Sequence, residues 1–447
     1  MSATAEVPEP ETPGPETKPG LGSRQVLTVS LLFVGYAAYY FCRSDLSVAT
    51  PLLIDDLQKH GMAGHDAVVR MGQLASWGTL AYALGKLTLT GLGDVWGGKR
   101  SFTLAMGGAV VFTLLFASTG YLPIFTIAWI GNRISQSIGW AGLIKVCSKW
   151  FGYSAYGTVI GILSLSYLVG DAVARLSMGK LIQVGYGWHA LFVFAALVAG
   201  VIVVLNLIFL RESRTELGYP APELNPLNLF AGETAQRRSF GEILKPLLLS
   251  RTFLVVCLLS LGCTIVRETF GNWTPTYLHG FLGYSTSSAA GTSAIFPAVG
   301  AFSVLFTGWL SDRMGPSGRA IIMFFSLAAA VVPLAAMAFL KADAGATLWP
   351  VVLIGAVAFF VLGPYSYLAG AFALDLGGSE AGAASSGIVD GVGYLGGIFA
   401  GDSVARLSVG FGWSGVWVAL TAVTGLSALA AGYLFLYQRG VRRRLAA

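Results

Sequence analysis

The sequence predicts an all-α integral membrane protein with twelve transmembrane helices in two pseudo-symmetric halves of six. Three observations predict it. Charged residues make up only 11% of the 447-residue chain and apolar residues 55%, with a mean hydropathy of +0.70; a soluble globular protein carries about 25% charged residues. Windows of about 19 residues pick out twelve apolar segments. A ten-residue motif in the fifth segment returns in the eleventh.

Taken in order, Met1 to Gly22 is rich in Pro, Glu and Thr. It lacks the basic-then-apolar layout of a signal peptide, so residues 1–25 are expected to form a disordered tail. Residues 26–211 hold six segments, at 26–54, 68–93, 101–120, 122–148, 155–183 and 187–210. Several exceed the roughly 20 residues a span needs, which implies tilt or extension past the bilayer. A polar link follows at 212–250, with Pro220, Pro222, Pro226 and Arg237-Arg238. Residues 251–438 hold the second six, at 252–279, 287–311, 319–341, 348–374, 381–409 and 412–437, and 439–447 form a basic tail. The 58 glycines suit helices that must approach closely where lipid supplies no hydrophobic drive. Basic residues gather on one side of this layout, among them Lys99, Arg100, Arg211, Arg237, Arg313 and Arg442, against Lys59, Arg70, Lys180 and Lys341 on the other. That asymmetry places both termini and the link in the cytoplasm. It also makes the net charge of +6 a topology signal, with no reason to expect nucleic acid.

Within segment one, Gly35 to Pro51 carries Arg43 well inside apolar surroundings. An arginine at the bilayer centre costs at least roughly 2.5–3.5 kcal/mol, which a watery cavity or an anion would offset. Tyr36 and Tyr40 share its side of the helix or nearly so. Snorkelling to an interface, or pairing with an acid, is the plainer alternative. The motif Gly170-Asp-Ala-Val-Ala-Arg-Leu-Ser-Met-Gly179 returns as Gly401-Asp-Ser-Val-Ala-Arg-Leu-Ser-Val-Gly410, each followed by Gly-Trp. Gly91 to Arg100 after segment two is echoed by Gly308 to Gly315 after segment eight. Parallel repeats with a cavity between them are a transporter architecture in which one half rocks against the other.

These features resemble the major facilitator superfamily, whose turns after helices two and eight carry Gly-x-x-x-Asp-Arg/Lys patterns. Gly308 to Arg313 fits that pattern, while Val95 after Asp94 departs from it. Within the superfamily the chain is similar to the organophosphate:phosphate antiporters. Four blocks carry the likeness: Gly35–Pro51, Gly131–Phe151, Arg267–Leu278 and Gly363–Trp413. The resemblance implies that Arg43 and Arg267 clamp a substrate phosphate, a role that suits forked, permanently charged guanidinium groups. It also implies that Lys86 adds a charge and that Tyr36, Tyr40, Gln136 and Tyr394 line the pocket, with simple packing the other reading for any one tyrosine. Where related exchangers often carry a lysine and an acid, this chain has Ser44 and Asn272; its acids stand beside the arginines, as Asp45 and Glu268. A histidine of some relatives is Tyr167 here.

Asp171 and Arg175, and again Asp402 and Arg406, stand four apart with the acid first, the favourable helical order. They are either self-neutralising pairs or gating and coupling groups, together with Glu268 and Asp390; Asp375 is a further proton-carrying candidate. Arg133 and Lys145 on segment four stay open, with the membrane surface near Lys149 the plainer place for Lys145. The four cysteines read as packing residues. No metal spacing, Walker-type loop or enzymatic constellation emerges, so neither a cofactor nor a metal is expected.

The expected function is secondary active exchange of a small organophosphate (glycerol-3-phosphate, sugar phosphate or phosphoglycerate class) for inorganic phosphate by alternating access. The alternatives are a proton-coupled transporter of another organic anion and a transport-deficient sugar-phosphate sensor. The expected partners are a small anionic substrate and the lipid bilayer. The resemblance implies a monomer, in a bacterial inner membrane.

Overall fold

The computed structural model describes residues 20–89, 96–222, 247–314, 318–342 and 347–446, with the backbone alone over short stretches such as 373–384. Most of the N-terminal tail, the middle of the link, the first part of the Gly91–Arg100 turn and the Asp375 side chain lie outside the described residues. The described elements are helical throughout. In the first half they are α1 (Leu21–Lys59), α2 (Gly64–Leu89), α3 (Gly98–Ala117), α4 (Leu122–Ser137), α5 (Gly139–Trp150), α6 (Tyr153–Ser164), α7 (Ser166–Gln183) and α8 (Trp188–Phe209). In the second they are α9 (Arg251–Gly280), α10 (Thr286–Thr292), α11 (Ile295–Met314), α12 (Gly318–Met337), α13 (Leu348–Tyr365), α14 (Ala373–Phe399) and α15 (Asp402–Ala446).

Among the described residues, nine helical stretches are long and apolar enough to cross a membrane. The twelve expected segments are all helical, but the boundaries differ. Segment two, α2, is diluted by Gln73, Ser76, Tyr82 and Lys86 and does not reach that hydropathy. Segment four is cut at Ile138 into α4 and α5, segment five at Leu165 into α6 and α7, and segment eight at Ser293 into α10 and α11. Segments eleven and twelve form one stretch, 385–437, interrupted at Ala400–Gly401 and at Gly412, whose φ of 68° is left-handed. Most of these breaks have no proline at them, and tertiary hydrogen bonds take up what some of them free. The Trp273 indole N–H, for example, donates to the Ala400 carbonyl at 2.7 Å.

Local chemistry sets the ends. Ser250 Oγ accepts the Phe253 N–H at the start of α9, as an N-cap serine should. At the start of α3, Glu212 reaches across the chain to accept the Gly98 N–H at 2.8 Å and the Lys99 N–H at 2.6 Å, while Lys149 Nζ sits 2.5 Å from its Oε1. The unpaired N–H groups and positive dipole end of a helix favour a carboxylate there. Burial pushes the Glu212 carboxyl up, but Lys149 and the two backbone donors outweigh it and hold it below its ordinary range.

The halves meet along few seams: α1 on α9, α7 on α10 and α11, and α2 on α14 and α15. Away from the chain termini, two of these seams are backbone to backbone. A Cβ on Gly179 would stand 2.9 Å from the Gly291 nitrogen, and one on Gly72 would stand 2.9 Å from the Gly401 carbonyl oxygen. Only glycine permits such approach, which is how helices pack when lipid provides no drive.

Candidate functional site

Arg43 is positioned by a break in α1. Cys42 leaves helical geometry at φ −83°, ψ 16°, and Gln136 Nε2 donates to the Cys42 carbonyl at 3.0 Å and to Asn132 Oδ1 at 2.7 Å. Gln136 therefore supports the bend beneath the arginine through its amide nitrogen, while its Oε1 is buried without a partner. On α9, Arg267 occupies the matching place: each arginine stands eight residues before a proline inside its helix, Pro51 and Pro275.

Both guanidinium groups face a cleft of about 530 Å³, open solvent included, between the halves. Tyr40, Tyr167, Asp171, Arg175, Glu268 and Asn272 share its wall. Arg267 Nη2 donates to Glu268 Oε1 at 2.5 Å, and its Nε is buried without a partner. Arg43 has no ion pair and no hydrogen bond among the described residues. Its contacts are aromatic: Cζ lies 5.2 Å from the Tyr40 ring centre and 4.6 Å from that of Tyr82. A cation on aromatic faces gains about 0.5–2 kcal/mol, less than the cost of a buried unpaired charge. The site is thus built with anion-binding capacity unspent.

Rings carry the site onward. Tyr394 lies 4.9 Å from Tyr82 between ring centres, with Arg267 Cζ at 5.7 Å and Lys86 Nζ at 5.0 Å from the Tyr394 ring. Lys86 pairs with Asp390 of α14, one turn nearer the termini than Tyr82. Tyr365 covers Arg267 at 4.9 Å. Tyr36 stands behind Tyr40, packed on Tyr39, Tyr40 and Trp140.

The structure therefore brings Arg43, Arg267, Tyr40 and Glu268 to the cleft and links Lys86, Tyr394 and Asp390 to it through shared rings. Tyr36 and Gln136 sit behind that wall. Tyr82 and Tyr365 are additions that sequence reasoning missed. Tyr82 was legible, because it precedes Lys86 by four residues and so shares its face; Tyr365, just past Pro364, carried no such signal.

One turn from the arginines, on the side away from the termini, lies a second polar cluster. A proline within a helix supplies no N–H to the carbonyl four residues back, so Pro275 leaves the Gly271 carbonyl without its helical donor. Two groups of the other half take that place: Ser47 Oγ at 2.7 Å and Arg175 Nη2 at 2.7 Å. Arg175 also reaches Ser293 Oγ at 3.2 Å and Asp171 Oδ1 at 2.6 Å, and Asp171 accepts from Ser44 at 2.5 Å. The repeat copy behaves otherwise. Arg406 and Asp402 pair at 2.8 Å with the arginine side chain 59% exposed.

Comparison with known proteins agrees with this architecture. The family model described as Major Facilitator Superfamily matches residues 32–401. A probable hexose phosphate transport protein of Chlamydia trachomatis is 26% identical, covering 88% of this chain and 86% of its own. The glycerol-3-phosphate transporter of Bacillus subtilis is 24% identical over 87% of each chain, and the membrane sensor protein UhpC of Escherichia coli is 25% identical over 89% of each. Among solved structures, a bacterial homologue of the human lysosomal transporter Spinster, inward-facing and unoccupied, superposes with a TM-score of 0.70 at 16% identity, covering 93% of this chain and 97% of that one. A D-xylose–proton symporter gives a TM-score of 0.71 at 13% identity, with coverage of 91% and 97%. These two likenesses concern the fold. With the apolar helices, they describe an integral, multi-pass membrane protein.

Proposed function

This chain belongs to the Major Facilitator Superfamily, a family of transporters and not enzymes, and on that footing we propose that it exchanges a small organophosphate for inorganic phosphate by alternating access. The relatives named for hexose phosphate and glycerol-3-phosphate transport support an organophosphate substrate. The observation that carries the reading is Arg43, a guanidinium in the cleft with no ion pair among the described residues, facing a second arginine whose Nε is also unspent. Phosphate oxygens match such forks in geometry and charge.

Two cross-half links bracket the arginine pair. Lys86–Asp390 lies one turn toward the termini, and the Arg175, Ser47 and Gly271 cluster one turn away from them. Alternating access requires each link to open in one state and close in the other. Substrate phosphate drives this by neutralising Arg43 and Arg267 together. With Arg267 already paired to Glu268, the empty carrier would hold Arg43 uncompensated in the closed seam, which suppresses uncoupled return and favours exchange. Both termini are assigned to the cytoplasm of a bacterial inner membrane and the working unit to the monomer.

The proton-coupled alternative has less support. Asp171, Glu268 and Asp390 are each already engaged in an ion pair with a cation. The sensor alternative is favoured by one observation, the similarity to UhpC. Counterflow separates these readings. Purified protein in liposomes loaded with phosphate should take up labelled phosphate only when phosphate is inside, with no dependence on a pH gradient. A hydrogen bond to a charged group is worth about 1.5–3 kcal/mol, so Arg43→Lys or Arg267→Lys should slow exchange roughly 10- to 100-fold. Normal exchange in both variants would remove the mechanism, and binding without counterflow would select the sensor.

A further inference from the structure

A fourth arginine stands near this site with no role assigned above. Arg133, on α4, is 3% exposed, and its Nε and Nη1 are buried without hydrogen-bond partners. It has no ion pair among the described residues. Its neighbours are rings and a glycine: Cζ lies 4.9 Å from the Tyr82 ring centre and 5.7 Å from that of Trp129, and its Cγ would stand 3.1 Å from a Cβ on Gly78. Asp45, an acid of the adjoining α1, is fully buried, yet its Oδ2 is equally unpartnered, so it does not neutralise Arg133 through a contact. An arginine taken out of water without acceptors is costly unless something supplies them.

Tyr82 is the connection. The same ring carries Arg43 at 4.6 Å and Lys86 at 5.3 Å, so three cations converge on one phenol. Two of them, Arg43 and Arg133, make no ion pair among the described residues, and each lies within 5 Å of that ring's centre. Arg133 is not among the residues lining the cleft; it lies against the ring that Arg43 covers from the cleft.

We propose that Arg133 forms a second anion subsite beside Tyr82, so that the cavity prefers a phosphate monoester bearing a further anionic group, a carboxylate or a second phosphate, over an ester with hydroxyls alone. This rests on the exchanger reading and narrows its substrate class. With the phosphate held at Arg43 and Arg267, the far anion meets the unspent guanidinium donors of Arg133, and a neutral hydroxyl in the same place leaves them unpaired. Specificity arises from that difference, since a site built for a charged partner rejects analogues that lack it.

The test compares 3-phosphoglycerate with glycerol-3-phosphate, which share a three-carbon frame and differ in the carboxylate. Affinities are read from competition with labelled phosphate counterflow and, independently of turnover, from thermal stabilisation of the detergent-purified protein. Wild type should favour 3-phosphoglycerate at least roughly tenfold, as one charge-assisted hydrogen bond provides. Arg133→Gln should erase the preference while leaving the affinities for phosphate and glycerol-3-phosphate unchanged, and Arg133→Lys should retain part of it. A wild type that binds both esters equally overturns the subsite alone. One that binds neither overturns the exchanger reading as well. An intact preference in Arg133→Gln shows that Arg133 merely packs. Where that variant does not fold, the wild-type comparison still decides.

Discussion

The two copies of the Gly-Asp-x-Val-Ala-Arg motif form the same four-residue ion pair and meet opposite surroundings. In α7, Arg175 is 3% exposed and holds Asp171, Ser293 and the Gly271 carbonyl at once. In α15, Arg406 is 59% exposed and holds Asp402 alone. A repeat inherited by both halves has therefore been given work in one half only. What differs is what packs opposite. α7 faces α9 to α11, with a carbonyl freed by Pro275, whereas the start of α15 rests on α2, where Ser76 Oγ already accepts the Asp402 N–H.

Ion pairs graded by burial turn this contrast into measurements. The pair Lys149–Glu212, with side chains 37% and 20% exposed, falls between the two copies. Breaking a buried pair from one side costs about 3–5 kcal/mol, so Arg175→Met should show the largest loss in unfolding temperature. It should also raise the labelling of cysteines introduced at the far seam, because that end no longer closes. Glu212→Gln removes one charge from the half-buried pair and should cost about 1 kcal/mol after allowance for solvent screening. Its sign with pH is fixed. The Glu212 carboxyl titrates below its unfolded value, so its contribution is complete above the ordinary carboxylate range and disappears as pH falls through the folded value. Wild type and Glu212→Gln should thus converge in unfolding temperature on acidification, and a constant gap would contradict the assignment.

Pro275→Ala should act more gently still. It returns a helical N–H to Gly271 and competes with Arg175 and Ser47, weakening closure by about 1 kcal/mol or less, visible as a shift in the same labelling assay. Arg406→Met should leave the unfolding temperature unchanged. A loss there equal to that of Arg175→Met would erase the contrast between the copies.

Much of this was written in the chain. Apolar windows located the nine stretches able to cross a membrane, and Arg43 announced itself as a charge that a bilayer would not tolerate without cause, while Arg267 was pointed to only by the family resemblance. The fate of the repeat was not legible, because Asp171–Arg175 and Asp402–Arg406 read alike, and burial is decided by helices remote in sequence. The breaks at Ile138 and Leu165 were invisible for a related reason: no proline marks those positions, whereas Pro297, four residues past Ser293, marks the third. The resemblance implied that Gln136 lines the pocket, but its amide nitrogen is committed to Cys42 on another helix and to Asn132, with Oε1 buried and unpartnered. Arg133 was seen as a charge on segment four and left open, since only the fold shows that it makes no ion pair among the described residues.

The glycine seams at Gly72–Gly401 and Gly179–Gly291 carry a thermodynamic consequence. Parting main chain from main chain at these two points wets little hydrocarbon, and exposed hydrocarbon is the chief source of heat-capacity change. Rocking of the halves should therefore have a nearly temperature-independent enthalpy. A van't Hoff plot of the two access states should run close to straight, where a joint of leucines and phenylalanines would bend it. Such a carrier would keep its balance between faces across a wide range of growth temperatures.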